Sequence, residues 1–575
     1  MSYEYYPITG IPVQPGEVTP ARRELASWST STVPGDQIQV SLFIRALQKM
    51  QDKNPLEELL SYFQIAGIHG YPVVPWDHAT QHGFYCTHGS ITFPTWHRPY
   101  MLLYESSPVH EPQSPSAHSV QQQVLYNIMD QELIPSITDT AVRQDWKKAA
   151  QQWRLPFWDW AIPQSDTNKF GVPGIVGLEQ LEILKLGGKD KESVKNPLYK
   201  YTNKIDGQEV SMNDAKMKPY QLDYDAYGGI GFVDNAKIEE AMENPEAPHW
   251  QKGVSIAENV YRILTDVYFQ SYETFSSTYL THDKKNLKPT EYLSLEMIHN
   301  NIHVWTGGWV EGPATKVTGV PVTAGHMADV PVASFDPIFW LHHCNVDRLL
   351  AIWQYLNPDK WFGTEPPPTP GHTDITPLPT DDLPPFHINK EGKYYNSNDA
   401  RDCGKLGYTY QDLVNTNIDK LKAELQDKYG NHTKKLLQPV KGIRPVPGIS
   451  EETFPDYIIN VEYDRFALGG EPYAVKFHLE TTNDQGKTES CTLGSFHNFT
   501  SPVVPDCENC QKQKDKSAKS KAQVPITLPL HGIVKSTHFP DATSLEPVHV
   551  NVLLEQQLRI SVTKVSSLPA MILVD

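Results

Sequence analysis

His299 and His303 stand four residues apart in the run Ser294-Leu-Glu-Met-Ile-His299-Asn-Asn-Ile-His303. On a helix that spacing puts both imidazoles on one face, where they can share a metal ion. Such pairs also occur on ordinary helix surfaces and in cores, so the pair needs company. His342 and His343 supply it. They are adjacent in Phe335-Asp-Pro-Ile-Phe339-Trp-Leu-His342-His343-Cys-Asn-Val-Asp347-Arg348-Leu349, whose apolar character points to a buried helix. Imidazoles buried there cost free energy unless each finds a partner, and a metal ion is one such partner.

A first group lies earlier in the chain. His69 sits in Ala66-Gly-Ile-His69-Gly70, His88 in Tyr85-Cys86-Thr-His88-Gly89, and His97 in Phe93-Pro-Thr-Trp96-His97-Arg98. Glycine and aromatic neighbours suit close packing around a site. Taken singly, each could equally be a satisfied core histidine. Together the two groups offer two sets of three imidazoles. All-imidazole sets suit copper, zinc or iron and not calcium or magnesium. Three histidines with one open position also describe catalytic zinc, so spacing alone does not choose the metal.

These groups need elements to position them. Residues 38–50, 257–275, 293–304 and 338–356 carry apolar residues at helical period. Pro- and Gly-rich stretches such as 364–386 separate the helices. After about residue 450 the texture changes to alternation, in Tyr473–Leu479, Val548–Val552 and Leu558–Val562. That period of two predicts strands of an antiparallel β domain. The expected organisation is therefore a helical domain over 1–430, an exposed linker over 431–449 open to proteolysis, and a β domain over 450–575. Lys512 to Lys521 reads as a solvated lysine-rich loop.

The chain has 575 residues, long for a single core. Its net charge of -18 argues against nucleic acid or an anionic membrane as the main partner. No segment approaches the ~20 apolar residues of a membrane span. The start, MSYEYYPITG, has no basic residues leading into an apolar run, so an intracellular, cytoplasmic protein is expected. Six cysteines in this length are not a disulfide scaffold. Asn431-His-Thr433 and Asn498-Phe-Thr500 match the glycosylation pattern and are read as chance.

The stretches Cys86-Thr-His88-Gly89, Phe93-Pro-Thr-Trp-His97-Arg-Pro-Tyr100, Ser294–His303 and Phe335–Leu350 resemble the two copper-binding signatures of tyrosinases, catechol oxidases and molluscan hemocyanins, fungal tyrosinases above all. The resemblance spans roughly 38–430 plus the tail. It implies a mainly α catalytic domain built around a four-helix bundle holding a dicopper centre, with a C-terminal antiparallel β-sandwich-like lid. It implies His69, His88 and His97 on a first copper, and His299, His303 and His343 on a second. His342 is left as a neighbour. It implies O2-dependent conversion of monophenols to o-diphenols and of o-diphenols to o-quinones, feeding melanin-type pigment. A catechol oxidase, an o-aminophenol oxidase and a hemocyanin-like O2 carrier are the alternatives.

The same resemblance implies further roles. Cys86 matches the cysteine that forms a thioether to the second histidine, here His88. Glu296 and Asn300 match a pair proposed to hold a water that takes the phenol proton. Phe339 matches an aromatic residue over the site, and Val330 a substrate-facing position. Phe157-Trp158-Asp159-Trp160 and Tyr408-Thr-Tyr410 match structural motifs, with Arg45 as the expected partner of the tyrosines. Phe499 matches the ring that fills the substrate site of a latent pro-enzyme, with Phe496 the alternative. Cys507 and Cys510 match a copper-loading pair; a local disulfide or a zinc half-site is the other reading. Small phenols, an activating protease, a copper chaperone and a homo-oligomeric assembly are the implied partners. One departure stands out. Residues 106–122, rich in Ser, Pro and Gln, follow directly on the helix expected to carry His97. His110 and His118 lie inside this insertion and are not taken as ligands.

Overall fold

The structure is a computed structural model that describes residues 3–13, 15–79, 84–105, 124–210, 254–265, 271–280, 287–308, 315–317, 320–322, 325–363, 376–431, 448, 455–482, 488–501, 507–535, 539 and 541–564. The 106–122 insertion and nearly all of the 431–449 linker lie outside them.

Helix α1 (Pro34–Asp52) opens with proline in its first turn, where a missing N–H costs nothing, and buries Leu42, Phe43, Ala46 and Leu47. Helix α2 (Tyr62–Gly67) is capped by Ser61, whose hydroxyl accepts from Gln64 N. Helix α3 (Phe93–Glu105) is buried along its whole length. Helices α4 (Val254–Ile263), α5 (Leu295–Gly307) and α6 (Ile338–Leu356) complete the frame. Ser294 caps α5 by accepting from Met297 N at 3.2 Å. α3, α4, α5 and α6 pack as a helical core: α3 on α6, α6 on α5, and α5 on α4. α6 is buried on nearly all faces, its polar residues His342, His343, Asn345, Asp347 and Arg348 included. The helix expected over 257–275 instead ends at Ile263, and a short second helix covers Tyr272–Ser276.

Two buried ion networks tie the core together. Arg22 pairs with Glu105 and Asp347, lies 3.7 Å over the Tyr408 ring, and donates to Tyr410. It belongs to strand β1 (Ala21–Arg22), which pairs in parallel with β2 (Thr409–Tyr410). Arg22 thus takes the place expected of Arg45, which binds Glu192 at the surface instead. Arg348 of α6 bridges Asp159 and Asp412, with Tyr429 closing the group. Removing one partner from such a set leaves a buried charge uncompensated, at a cost of about 3–5 kcal/mol.

The C-terminal region holds β3 (Ile458–Asp464), β4 (Tyr473–Thr482), β5 (Thr488–Asn498), β6 (Lys519–Pro525) and β7 (Leu558–Lys564). They form two antiparallel sheets, β5-β4-β7 and β3-β6. Phe496 of β5 packs 5.0 Å from Tyr463 of β3, so the sheets share a core. Two expectations fail here. Val548–Val552 is helical, inside α9 (Pro547–Gln557), with proline at its start and Val550, Leu553 and Gln557 buried at helical spacing. The Lys512–Lys521 segment is not a loop. It is the end of helix α7 (Glu508–Asp515) and the start of β6. Helix α8 (Thr527–Lys535) follows.

β6 also joins the two regions. Lys521 N donates to Thr278 O at 2.8 Å, and Leu280 N to Lys519 O at 3.0 Å. The Lys521 ammonium is buried and donates to the carbonyls of Thr274 and Glu291. Arg262 of α4 binds Asp456 with two hydrogen bonds. No helix among the described residues is long and apolar enough to cross a membrane.

Candidate metal centre

His299 and His303 project from one face of α5 and His343 from α6. The His343 Nε2 lies 3.2 Å from that of His299 and 3.3 Å from that of His303. Nitrogens sharing one ion at roughly 2.0 Å each stand about 3.3 Å apart. His69 lies two residues past the end of α2, His88 in a turn, and His97 in the second turn of α3. Their ring centroids are 5.3–5.8 Å apart. The trios face each other, with His97 stacked on His343 at 4.4 Å and His88 on His299 at 5.5 Å. His97 therefore keeps its place, and α3 runs two further turns before the insertion.

Close approach explains the glycines beside these ligands. A Cβ on Gly70 would stand 2.5 Å from the Pro331 backbone. Gly89 has φ +63°, and its missing side chain leaves room for the Arg465 guanidinium.

Hydrogen bonds set the rings for metal binding. Nδ1 of His69 donates to Val330 O at 2.8 Å, that of His97 to Phe93 O at 2.7 Å, and that of His303 to Met327 O at 2.8 Å. His299 Nδ1 donates to the side-chain oxygen of Asn300 at 2.9 Å. With the proton fixed on Nδ1, each Nε2 lone pair points inward. Nε2 of His69, His88 and His97 is buried without a partner. Orphaned buried acceptors require an explanation, and a bound cation is one. Burial holds all six rings neutral, His69 near 3 and the others well below the usual histidine value. Neutral rings are what a metal needs.

Around the rings, Phe499 reaches in from the C-terminal region. It stacks on His303 at 4.3 Å and meets His88 and His299 edge-on at 5.6 and 5.8 Å. Phe496 stays in the sheet core. Phe339 packs against His343 at 4.1 Å and His69 at 5.1 Å. Val330, Cys86, His88, Arg465 and Cys510 line one narrow cavity. Cys86 is a free, buried thiol. Cys507 and Cys510 are joined in a disulfide, so the expected thiolate pair is replaced by the local-bridge alternative. α7, which follows Cys507, grips the His88 turn: Gln513 donates to His88 O at 2.9 Å and to Gly89 O at 3.2 Å.

Glu296 is fully buried. One oxygen accepts from Gly89 N at 2.5 Å; the other accepts from the Ser277 hydroxyl and from Thr278 N and hydroxyl. Arg465 stands 3.8 Å away. The amide nitrogen of Asn300 has no partner. Sequence reasoning missed Arg465, Gln513 and Asn301. Asn301 accepts from His497 N and Nδ1. These contacts join positions more than 160 residues apart, and nothing local marks them.

Residues 59–356 match the common central domain of tyrosinase, and 456–570 the tyrosinase C-terminal domain. The tyrosinase of Aspergillus fumigatus is 34% identical, over 92% of this chain and 84% of that one. Polyphenol oxidase 2 of Agaricus bisporus is 28% identical, over 90% of this chain and 85% of that one. The crystal structure of melB apo-protyrosinase from Aspergillus oryzae superposes with a TM-score of 0.73, at 28% identity over 98% of this chain and 91% of that one. The chain belongs to the tyrosinase family. It is a type-3 copper oxidase, and its two buried histidine clusters fit the two copper sites of a type-3 centre.

Proposed function

We propose that the chain is a latent tyrosinase, oxidising monophenols and o-diphenols to o-quinones. The observation that carries this reading is the Phe499 ring, which lies against ligands of both sites and stacks on His303. A flat ring held there supports a flat phenolic substrate. Its attachment to a region docked by β6, Lys521 and Arg262 supports latency. The likeness to a protyrosinase of Aspergillus oryzae agrees with it.

The two copper ions supply O2 activation when bound. The chain's own residues do the rest. A monophenol and O2 give an o-quinone and water; two o-diphenols and O2 give two o-quinones and two waters. A phenol, with pKa near 10, must first shed its proton. The unpartnered Asn300 amide is suited to hold the accepting water beside His299. Glu296 is buried next to it and supplies negative charge that draws the proton outward. Cys86, two residues before His88, is suited to a thioether that would lock that ring. Reduced, Cys507 and Cys510 would offer soft sulfur ligands for copper delivery, Cys510 from the cavity that Cys86 also lines. Melanin-type pigment is the expected fate of the quinones.

Turnover of tyrosine and of DOPA, by full-length and linker-cleaved protein, tests the reading. Strong gain on cleavage with both substrates is expected. A full-length chain already as active as the cleaved one overturns latency, and turnover of DOPA alone makes it a catechol oxidase. Asn300→Asp and Glu296→Gln should lower the tyrosine-to-DOPA ratio; unchanged ratios sink the water assignment.

A further inference from the structure

Four imidazoles, not three, crowd the second site. Nitrogens of His299, His303, His342 and His343 all lie within 4.8 Å of one another, and all four residues are buried. His342 stacks on His299 with centroids 5.1 Å apart and planes 21° apart, and meets His303 edge-on at 4.8 Å. Proximity alone does not keep it off the metal.

Its hydrogen bond does. Trp160 Nε1 lies 3.1 Å from His342 Nδ1. An indole N–H only donates, so Nδ1 of His342 must be the bare, accepting nitrogen. A ring that accepts at Nδ1 is neutral, and its proton then sits on Nε2. This is the reverse of His69, His97, His299 and His303, whose Nδ1 atoms donate to oxygen and whose Nε2 atoms are bare. The His342 lone pair is spent on the indole, and its other nitrogen, Nε2, carries the proton and offers a metal no lone pair. The indole is well anchored. Trp160 is fully buried, Trp158 N donates to Leu341 O at 3.1 Å, and Asp159 is pinned by Arg348 and Tyr429.

We propose that Trp160 is a positioning residue of the second copper site: it holds His342 in the Nε2–H tautomer, which bars it from the metal and leaves it as a plate that orients His299. The inference depends on copper binding and not on which phenol is oxidised.

The test uses the full chain. In apo-protein labelled with ¹⁵N-histidine, the resonances lost in His342→Gln should report the Nε2–H tautomer. In Trp160→Phe, which keeps an apolar ring, an Nδ1–H population should appear. Copper is then read with the first site disabled by His88→Ala. One equivalent of copper(II) should give one electron-resonance species with Trp160 present. Trp160→Phe should give a second species and bind about tenfold more weakly against a chelator. Adding His342→Gln to Trp160→Phe should abolish the second species. His342→Gln alone should keep the second copper. An Nδ1–H tautomer in the starting protein, loss of the second copper in His342→Gln, an unchanged Trp160→Phe spectrum, or a second species that survives the double change would each overturn the proposal.

Discussion

His299, His303 and His343 ride on two helices, while His69, His88 and His97 come from a helix end, a turn and a third helix. In the second trio, backbone hydrogen bonds within α5 fix the spacing of His299 and His303, and the packing of α6 on α5 brings in His343. In the first, His69 depends on the Val330 carbonyl, and the His88 turn depends on Glu296 from below and on Gln513 and Arg465 from the C-terminal region. A helix-built half-site stands largely on its own, whereas a turn-built one borrows its shape. The region that covers the site also helps to shape one half of it.

The largest effect expected is from His303→Ala. It should drop bound copper from two ions per chain to one and bring oxidation to background, with the first site still loaded. Copper analysis with activity checks this; loss of both ions would erase the distinction between the halves. Next, Phe499→Ala should admit substrate to the uncut chain and raise its activity toward that of the cleaved form. Emptying so buried a position should also cost about 3–5 kcal/mol of stability in the region that carries it, read by thermal melting. Gln513→Ala should weaken copper at the first site about tenfold and leave the second unchanged. Equal weakening at both would mean that the turn does not lean on α7.

The smallest effect is in pH. Burial lowers the Lys521 ammonium from 10.5 to about 7 when docked. Between those values the undocked form binds a proton that the docked form does not, so docking weakens as pH falls from 10.5 toward 7 and tightens as pH rises through this window. Below about 7 both forms are protonated and this term is flat. After linker cleavage, the C-terminal region should separate more readily at pH 6 than at pH 9. Lys521→Met should flatten that difference.

Much of the centre was legible because helical spacing is local. His299 and His303 declare themselves by position, and the His342-His343 pair by its apolar run. Which of those two faces the metal is decided by an indole 182 positions away, beyond any periodicity. Arg22 replaces Arg45 for the same reason, since a two-residue parallel pairing brings it under Tyr408. Val548–Val552 misled because five alternating residues also fit the start of a helix whose buried face lies further on. The lysine-rich segment misled because Lys521 turns inward, satisfied by carbonyls that composition does not reveal.

Phe499 has one further consequence. Its ring is tethered to the chain it blocks, so it competes as a local reagent whose effective concentration reaches the millimolar range, not as a free ligand. A phenol must outcompete that ring in the intact chain at any protein dilution. Once the linker is severed, the contest becomes bimolecular. Activation should then depend on how far the cut protein is diluted, and concentrating it should restore part of the block.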